Sequence, residues 1–172
     1  MIYYISDTHF GHSNVIKMSN RPFSNVEEMN NQLIKNWNNI ITNNDIVYFL
    51  GDFSFLNKEK SIQILEQLKG KKYFIKGNHD KTNWLNIIKA LGLIIDWFDY
   101  KEISDKGRKV ILCHYPLCSW NSQYRGSYHL YGHTHNKVLL NDEFQKNRFN
   151  VCVENIGYNP ITLDELIEKT FN

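Results

Sequence analysis

The chain has 172 residues, 42% of them hydrophobic and 14% aromatic, with 20 Lys and Arg against 18 Asp and Glu. Disordered chains lack that much apolar side chain, so disorder is excluded. A net charge of +2 is too small to argue for nucleic acid or a membrane surface.

A chain of this length is expected to form one domain over residues 1–172, with a core that buries roughly 70% of the unfolded surface. The three cysteines, Cys113, Cys118 and Cys152, form no C-x-x-C. Their number and spacing suit reduced thiols in the cytoplasm. No basic n-region with a long apolar segment follows Met1, so no signal peptide and no membrane span are expected.

Ile2-Tyr3-Tyr4-Ile5 reads as a short buried strand running into Asp7 and His9. A polar stretch from Gly11 to Phe23 reads as a loop. Ser24 with Glu27 has the form of a capping box. Behind it Val26, Met29, Leu33, Trp37 and Ile40 recur at three and four, which predicts a helix over about 25–41. Ile46 to Leu50 is a second apolar run and ends in Gly51-Asp52. A helix over about 58–69 would bury Ile62, Leu65 and Leu68. A third strand, about 72–76, ends in Gly77-Asn78-His79-Asp80, and a helix over about 82–91 follows.

The pattern then turns to strands: Leu93–Phe98, Tyr100–Ile103 and Arg108–Cys113, with a hairpin turn at Asp105-Lys106-Gly107. Cys113 leads into His114, and Tyr128–Tyr131 leads into Gly132-His133-Thr134-His135. Val138–Leu140 and Phe149–Val153 flank an Asn141-Asp142 turn. Thr162 with Glu165 caps a last helix. Strand–helix alternation followed by mostly strand predicts a layered α/β protein with a mixed sheet or two packed sheets.

The chemistry-bearing residues form one ordered series: Asp7-Thr8-His9, Gly51-Asp52, Gly77-Asn78-His79-Asp80, His114 and Gly132-His133-Thr134-His135. Singly each is weak, since Asp-x-His is common and Gly-Asp is a frequent turn. Jointly they hold five of the seven histidines, each just beyond an apolar run. Carboxyl ends of strands are where α/β sheets bind ligands. Carboxylate, imidazole and amide oxygen without thiolate suit Mn²⁺, Fe or Zn²⁺. The x-spaced pairs, read as extended chain, would point alternate side chains one way.

In order and spacing this series resembles the calcineurin-like metallophosphoesterase superfamily. Asp7-Thr8-His9-Phe10-Gly11-His12, Arg21-Pro22-Phe23 and Asn159-Pro160-Ile161 are similar to its small bacterial and phage members. The resemblance implies a four-layer αββα sandwich: two facing mixed sheets flanked by helices, with the metal site at strand carboxyl ends. It implies one metal on Asp7, His9, Asp52 and His135 and a second on Asp52, Asn78, His114 and His133, with Asp52 shared. Mn²⁺ is the expected pair, with Fe, Zn²⁺ or Ni²⁺ as alternatives. It further implies attack on phosphorus by a metal-bridged hydroxide, with His79 as general acid and Asp80 orienting it.

Gly51-Asp52-Phe53 and His79-Asp80 depart from the protein-phosphatase pattern. Short intervals between motifs leave no room for a cap domain. The expectation is a phosphodiesterase on small nucleotides, cyclic nucleotides or nucleic-acid ends. A phosphomonoesterase, or a non-catalytic interaction module on the same fold, is the alternative. His12 is a candidate substrate contact or a solvated loop residue. Arg21 is a candidate phosphate clamp. His129 reads as a core histidine. Trp120, Tyr124 and Arg125 are expected to rim the site as loop cover.

Overall fold

The computed structural model describes residues 1–137 and 146–171. The expected strand Val138–Leu140 and its Asn141-Asp142 turn lie outside the described residues. The first half runs β1 (Ile2–Ile5), α1 (Ser13–Met18), α2 (Val26–Ile40), β2 (Ile46–Phe49), α3 (Lys58–Gln67), β3 (Lys71–Ile75), α4 (Thr82–Ala90) and β4 (Asp96–Phe98). These strands form one sheet in the order β1-β2-β3-β4. Every neighbouring pair is parallel, so this sheet is wholly parallel where a mixed one was expected. Each connection contains a helix, and a helical crossover returns the chain in the same direction.

The second half runs β5 (Tyr100–Asp105), β6 (Arg108–Cys113), β7 (Tyr128–Tyr131), β8 (Arg148–Asn150) and α5 (Leu163–Phe171). It forms a second sheet in the order β5-β6-β7-β8. The β5–β6 hairpin is antiparallel and the other two pairs are parallel. Two facing sheets with flanking helices match the expected sandwich. Asp99 alone separates β4 from β5, so the chain changes sheets in one residue. Buried side chains of both sheets belong to one hydrophobic cluster. The Tyr4 hydroxyl crosses it to donate to Asp105 at 2.9 Å, which satisfies two buried polar groups at once.

Local chemistry explains the boundaries. In α2, Met29, Leu33 and Trp37 are buried, as their spacing requires. The capping box falls one residue later than expected. Asn25 accepts from the Glu28 N–H at 2.8 Å, and Glu28 accepts from the Ser24 N–H at 2.7 Å. Asparagine caps as well as serine. The α1 helix stands where a loop was expected; Val15 is its one fully buried residue, too little to leave a period. In α3, Ile64 and Leu65 are buried, as is Leu68 at its C-cap, and Ile62 is only half-buried. β4 is shorter than the expected 93–98 because Leu93 still bonds back to Ile88 at the end of α4. Thr162 and Glu165 cap α5 reciprocally.

The sheets are joined at the carboxyl end of β1. Ser6 donates to Val151 at 2.9 Å and accepts from Val153 at 3.2 Å, and Asp7 donates to Gly51 at 2.9 Å. One short segment therefore bonds to the chain beyond β8 and to the chain beyond β2.

Candidate metal centre

The backbone that follows the strands is not extended. Asp7, His9, Asp52, His133 and His135 take φ of 55°, 50°, 59°, 71° and 51°. Asp and His are among the few non-glycine residues that tolerate this left-handed region. Such strain gathers at functional sites. The x-spaced pairs therefore converge through left-handed turns, not through the alternation of an extended chain. Two glycines allow the loops to approach. A Cβ on Gly51 would lie 2.5 Å from His114 Nδ1, and one on Gly77 would run into the Asp52 carboxylate.

Asp7, His9 and His135 bring ligand atoms within 4.8 Å of one another, and so do Asp7, Asp52 and His114. Asp7 Oδ1 lies 3.5 Å from His9 Nε2 and 3.8 Å from His135 Nε2. Asp7 Oδ2 accepts from the His133 N–H at 3.0 Å and from Cys152 Sγ at 3.1 Å. Asp52 Oδ2 lies 3.6 Å from His114 Nε2, 3.8 Å from His9 Nε2 and 3.9 Å from His79 Nε2. Asn78 Oδ1 lies 2.9 Å from His114 Nε2 and 2.9 Å from His133 Nδ1. All seven expected ligand residues thus meet at one place.

The arrangement fits cations. Asp7 Oδ1 and both ring nitrogens of His9 are buried without a hydrogen-bond partner, which is costly unless something binds them. His114 Nδ1 lies 2.7 Å from the Leu50 carbonyl and must donate its proton there. A neutral His114 then turns the lone pair of Nε2 toward the amide oxygen of Asn78, acceptor against acceptor. A divalent ion resolves that conflict, and oxygen–nitrogen sets of this kind hold transition metals. Burial alone would raise the Asp7 carboxyl. The neighbouring imidazoles of His9 and His114 and the Ser6 hydroxyl outweigh it and hold Asp7 ionised, below the usual carboxylate range.

His79 faces this group with a side chain 47% exposed. Its backbone N–H donates to Asp52 Oδ1 at 2.9 Å. Asp80 does not orient it. The Asp80 carboxylate accepts backbone N–H groups of Asp52 at 2.8 Å, Phe53 at 3.2 Å and Gly77 at 2.9 Å. It clamps the loops after β2 and β3 together. Phe55 packs on His79, with ring centroids 4.7 Å apart, and stacks on His9 and His12 at 5.1 and 4.1 Å. His12 thus lies beside the cluster, against Phe55. Its ring is pushed toward the neutral form by burial and by the nearby His9.

Arg21 is no phosphate clamp. Its side chain is fully buried, and its donors go to Glu154 and to the Asp7 and Thr8 carbonyls. Glu154 was missing from the sequence reading. Its Oε1 also accepts from His135 Nδ1 at 2.9 Å. The available signal was an acid directly after the apolar run Phe149–Val153, the placement shared by the other site residues. Tyr115, which packs its ring on His114 and His133, was also missed.

His129 is a core residue. Nε2 accepts from the Leu117 N–H at 3.0 Å and Nδ1 donates to Ile111. Burial pushes its pKa down to about 4. Trp120 is buried and bonds Ser127, as loop cover should. Arg125 instead lies with Arg108 and Lys109 at the start of β6, away from His114 at its end. Among the described residues Cys113, Cys118 and Cys152 form no disulfide. Among the described residues no helix is long and apolar enough to cross a membrane.

The family model for calcineurin-like phosphoesterase matches residues 1–162. An uncharacterized protein of Methanocaldococcus jannaschii, MJ1445, is 44% identical over 98% of this chain and 92% of its own length. The gene 66 protein of Mycobacterium phage L5 is 25% identical over 90% of this chain and 87% of its own. Among solved structures, AQ665 of Aquifex aeolicus, a protein of unknown function, aligns with a TM-score of 0.76 and 28% identity over 98% of both chains.

Proposed function

The chain belongs to the calcineurin-like phosphoesterase family, and from that premise we propose that it is a dinuclear phosphodiesterase acting on nucleotide-type substrates. That it is a metal-dependent phosphoester hydrolase follows from the family. The finer reading is carried by one observation: Asp52 Oδ2 lies within 3.6–3.9 Å of His9, His114 and His79. A single carboxylate oxygen sits between both ligand groups and beside the proposed acid. Asp7, His9, Asp52 and His135 would hold one ion, and Asp52, Asn78, His114 and His133 the other. Mn²⁺ is our choice of metal.

Bound ions at such a site supply charge neutralisation for phosphoryl oxygens and an activated water. The protein's own part is narrower. Asp52 holds the His79 backbone in place and Phe55 packs on its ring. The exposed imidazole can then give a proton to a departing alkoxide. Arg21 is spent inside the fold, so no guanidinium from that position meets the reacting group. This suits a diester, with one negative charge, better than a monoester dianion. Three cysteines outside any disulfide support a cytoplasmic setting.

The test is hydrolysis of bis-p-nitrophenyl phosphate beside p-nitrophenyl phosphate, with Mn²⁺ and then with chelator. Faster, Mn²⁺-dependent cleavage of the diester is expected. Preference for the monoester would overturn the diesterase reading.

A further inference from the structure

A cavity of about 560 Å³ opens beside His79, lined by the segment 54–59, Ser61 and the segment Asp80–Lys81 with Trp84. Its volume falls within the range of small-molecule sites. It begins where the proposed proton donor stands, so it lies on the side of the leaving group. One wall is apolar: Phe55 is 41% exposed, Leu56 is half-buried, and Trp84 stacks on Phe53 at 5.8 Å.

The charges on the other wall serve no purpose visible in the fold. Lys58 opens α3 and Lys81 caps α4. Cations at the start of a helix oppose its dipole, where acids would stabilise it. Neither lysine makes an ion pair among the described residues. Two carboxylates border the same cavity. Asp80 is buried and committed to three backbone N–H groups, which leaves Glu59 as the one exposed acid. Glu59 follows the rule in the first turn of α3, so the departures are Lys58 and Lys81, and both border this cavity; local departures of this kind are expected at functional sites.

We propose that this cavity receives the leaving group of the diester and that Lys58 and Lys81 bind a second negative charge on it. The substrate class is then a phosphodiester whose leaving alcohol is itself a mononucleotide, its flat base against Phe55 and Trp84 and its own phosphate on the lysines. This rests on the diesterase reading. In the step, a water oxygen bonds to phosphorus and the bond to the nucleotide oxygen breaks with its electron pair. That oxygen takes a proton from His79, and the water's proton passes to solvent.

The test compares two thymidine dinucleotides, one with a 5′-terminal phosphate and one without, using the Mn²⁺-loaded full chain. Cleavage at the 3′-oxygen releases thymidine 5′-monophosphate from the first and thymidine from the second. A KM about tenfold lower for the phosphorylated dinucleotide is expected, matching one charge-assisted contact. Lys58→Ala with Lys81→Ala should erase that ratio at unchanged metal content, and Lys58→Arg with Lys81→Arg should restore it. Equal KM values, or a ratio that survives the double alanine variant, would overturn the proposal and leave the diesterase reading intact.

A second measurement separates the two claims. Thymidine 5′-monophosphate is titrated into metal-free protein, beside thymidine, by calorimetry. Lysine-dependent preference for the monophosphate supports the cavity even if no diester is hydrolysed. Equal binding of the two counts against it.

Discussion

His135 Nδ1 donates to Glu154 Oε1 at 2.9 Å, and that bond turns His135 Nε2 toward Asp7. An ionised carboxylate only accepts, so the tautomer of His135 is fixed by Glu154. The Glu154 carboxyl, raised by burial, is brought back below its usual value by His135 and Arg21. In return Glu154 outweighs the burial of His135 and raises its pKa.

Glu154→Gln should weaken metal binding by about 10–100-fold, as losses of partners behind metal-bound histidines do, and should also lower stability because it removes the charge paired with buried Arg21. Titration of metal-free protein with Mn²⁺ measures it. Arg21→Met should act chiefly on stability. It strands a buried carboxylate, and a loss of roughly 3–5 kcal/mol is expected in urea denaturation.

Asp52→Asn keeps the shape of the side chain and removes the charge between the two ligand groups. The expected outcome is a fall from two bound ions to one or fewer by elemental analysis. Retention of both ions would show that Asp52 is not shared.

His79→Ala should leave metal content unchanged. Turnover of a dinucleotide, whose alkoxide leaves poorly, should fall by about 10²–10⁴. Turnover of bis-p-nitrophenyl phosphate should fall far less, because nitrophenolate leaves without a proton. Equal losses on both substrates would remove His79 from the role of acid.

His129 links stability to acid. Its folded pKa is depressed to about 4, below the roughly 6.5 of an unfolded chain. Between those values the unfolded chain binds a proton that the folded one refuses. Stability is therefore full above about pH 6.5 and is lost as pH falls toward 4, by roughly 3 kcal/mol from this residue. His129→Gln should flatten the pH dependence of stability in that window, whatever it does to the absolute value. An unchanged slope would contradict the assignment.

The convergence of the seven proposed ligand residues was legible because each follows an apolar run, and position after a strand is a property of the sequence. The helices with three or four periodic apolar residues were legible for a similar reason. What escaped notice depends on distance. Arg21 and Glu154 are 133 residues apart, and nothing local marks a buried guanidinium. An Arg before a Pro read as a candidate phosphate clamp until its partners came into place. Asp80 stood beside His79 in sequence, yet its carboxylate points back into the turn. The left-handed backbone of the Asp-x-His and His-x-His pairs was hidden too, because side chains one residue apart converge in more than one conformation.

Those left-handed turns set a limit on how this protein can be made more robust. The residues that carry the chemistry occupy the backbone positions where glycine would sit with least strain. Each of Asp7, His9, Asp52, His133 and His135 could be relaxed by a glycine, and each such change would delete a proposed ligand. Gains in thermal resistance must come from elsewhere in the chain, because at this end of the sheets the durable sequence and the working sequence are different sequences.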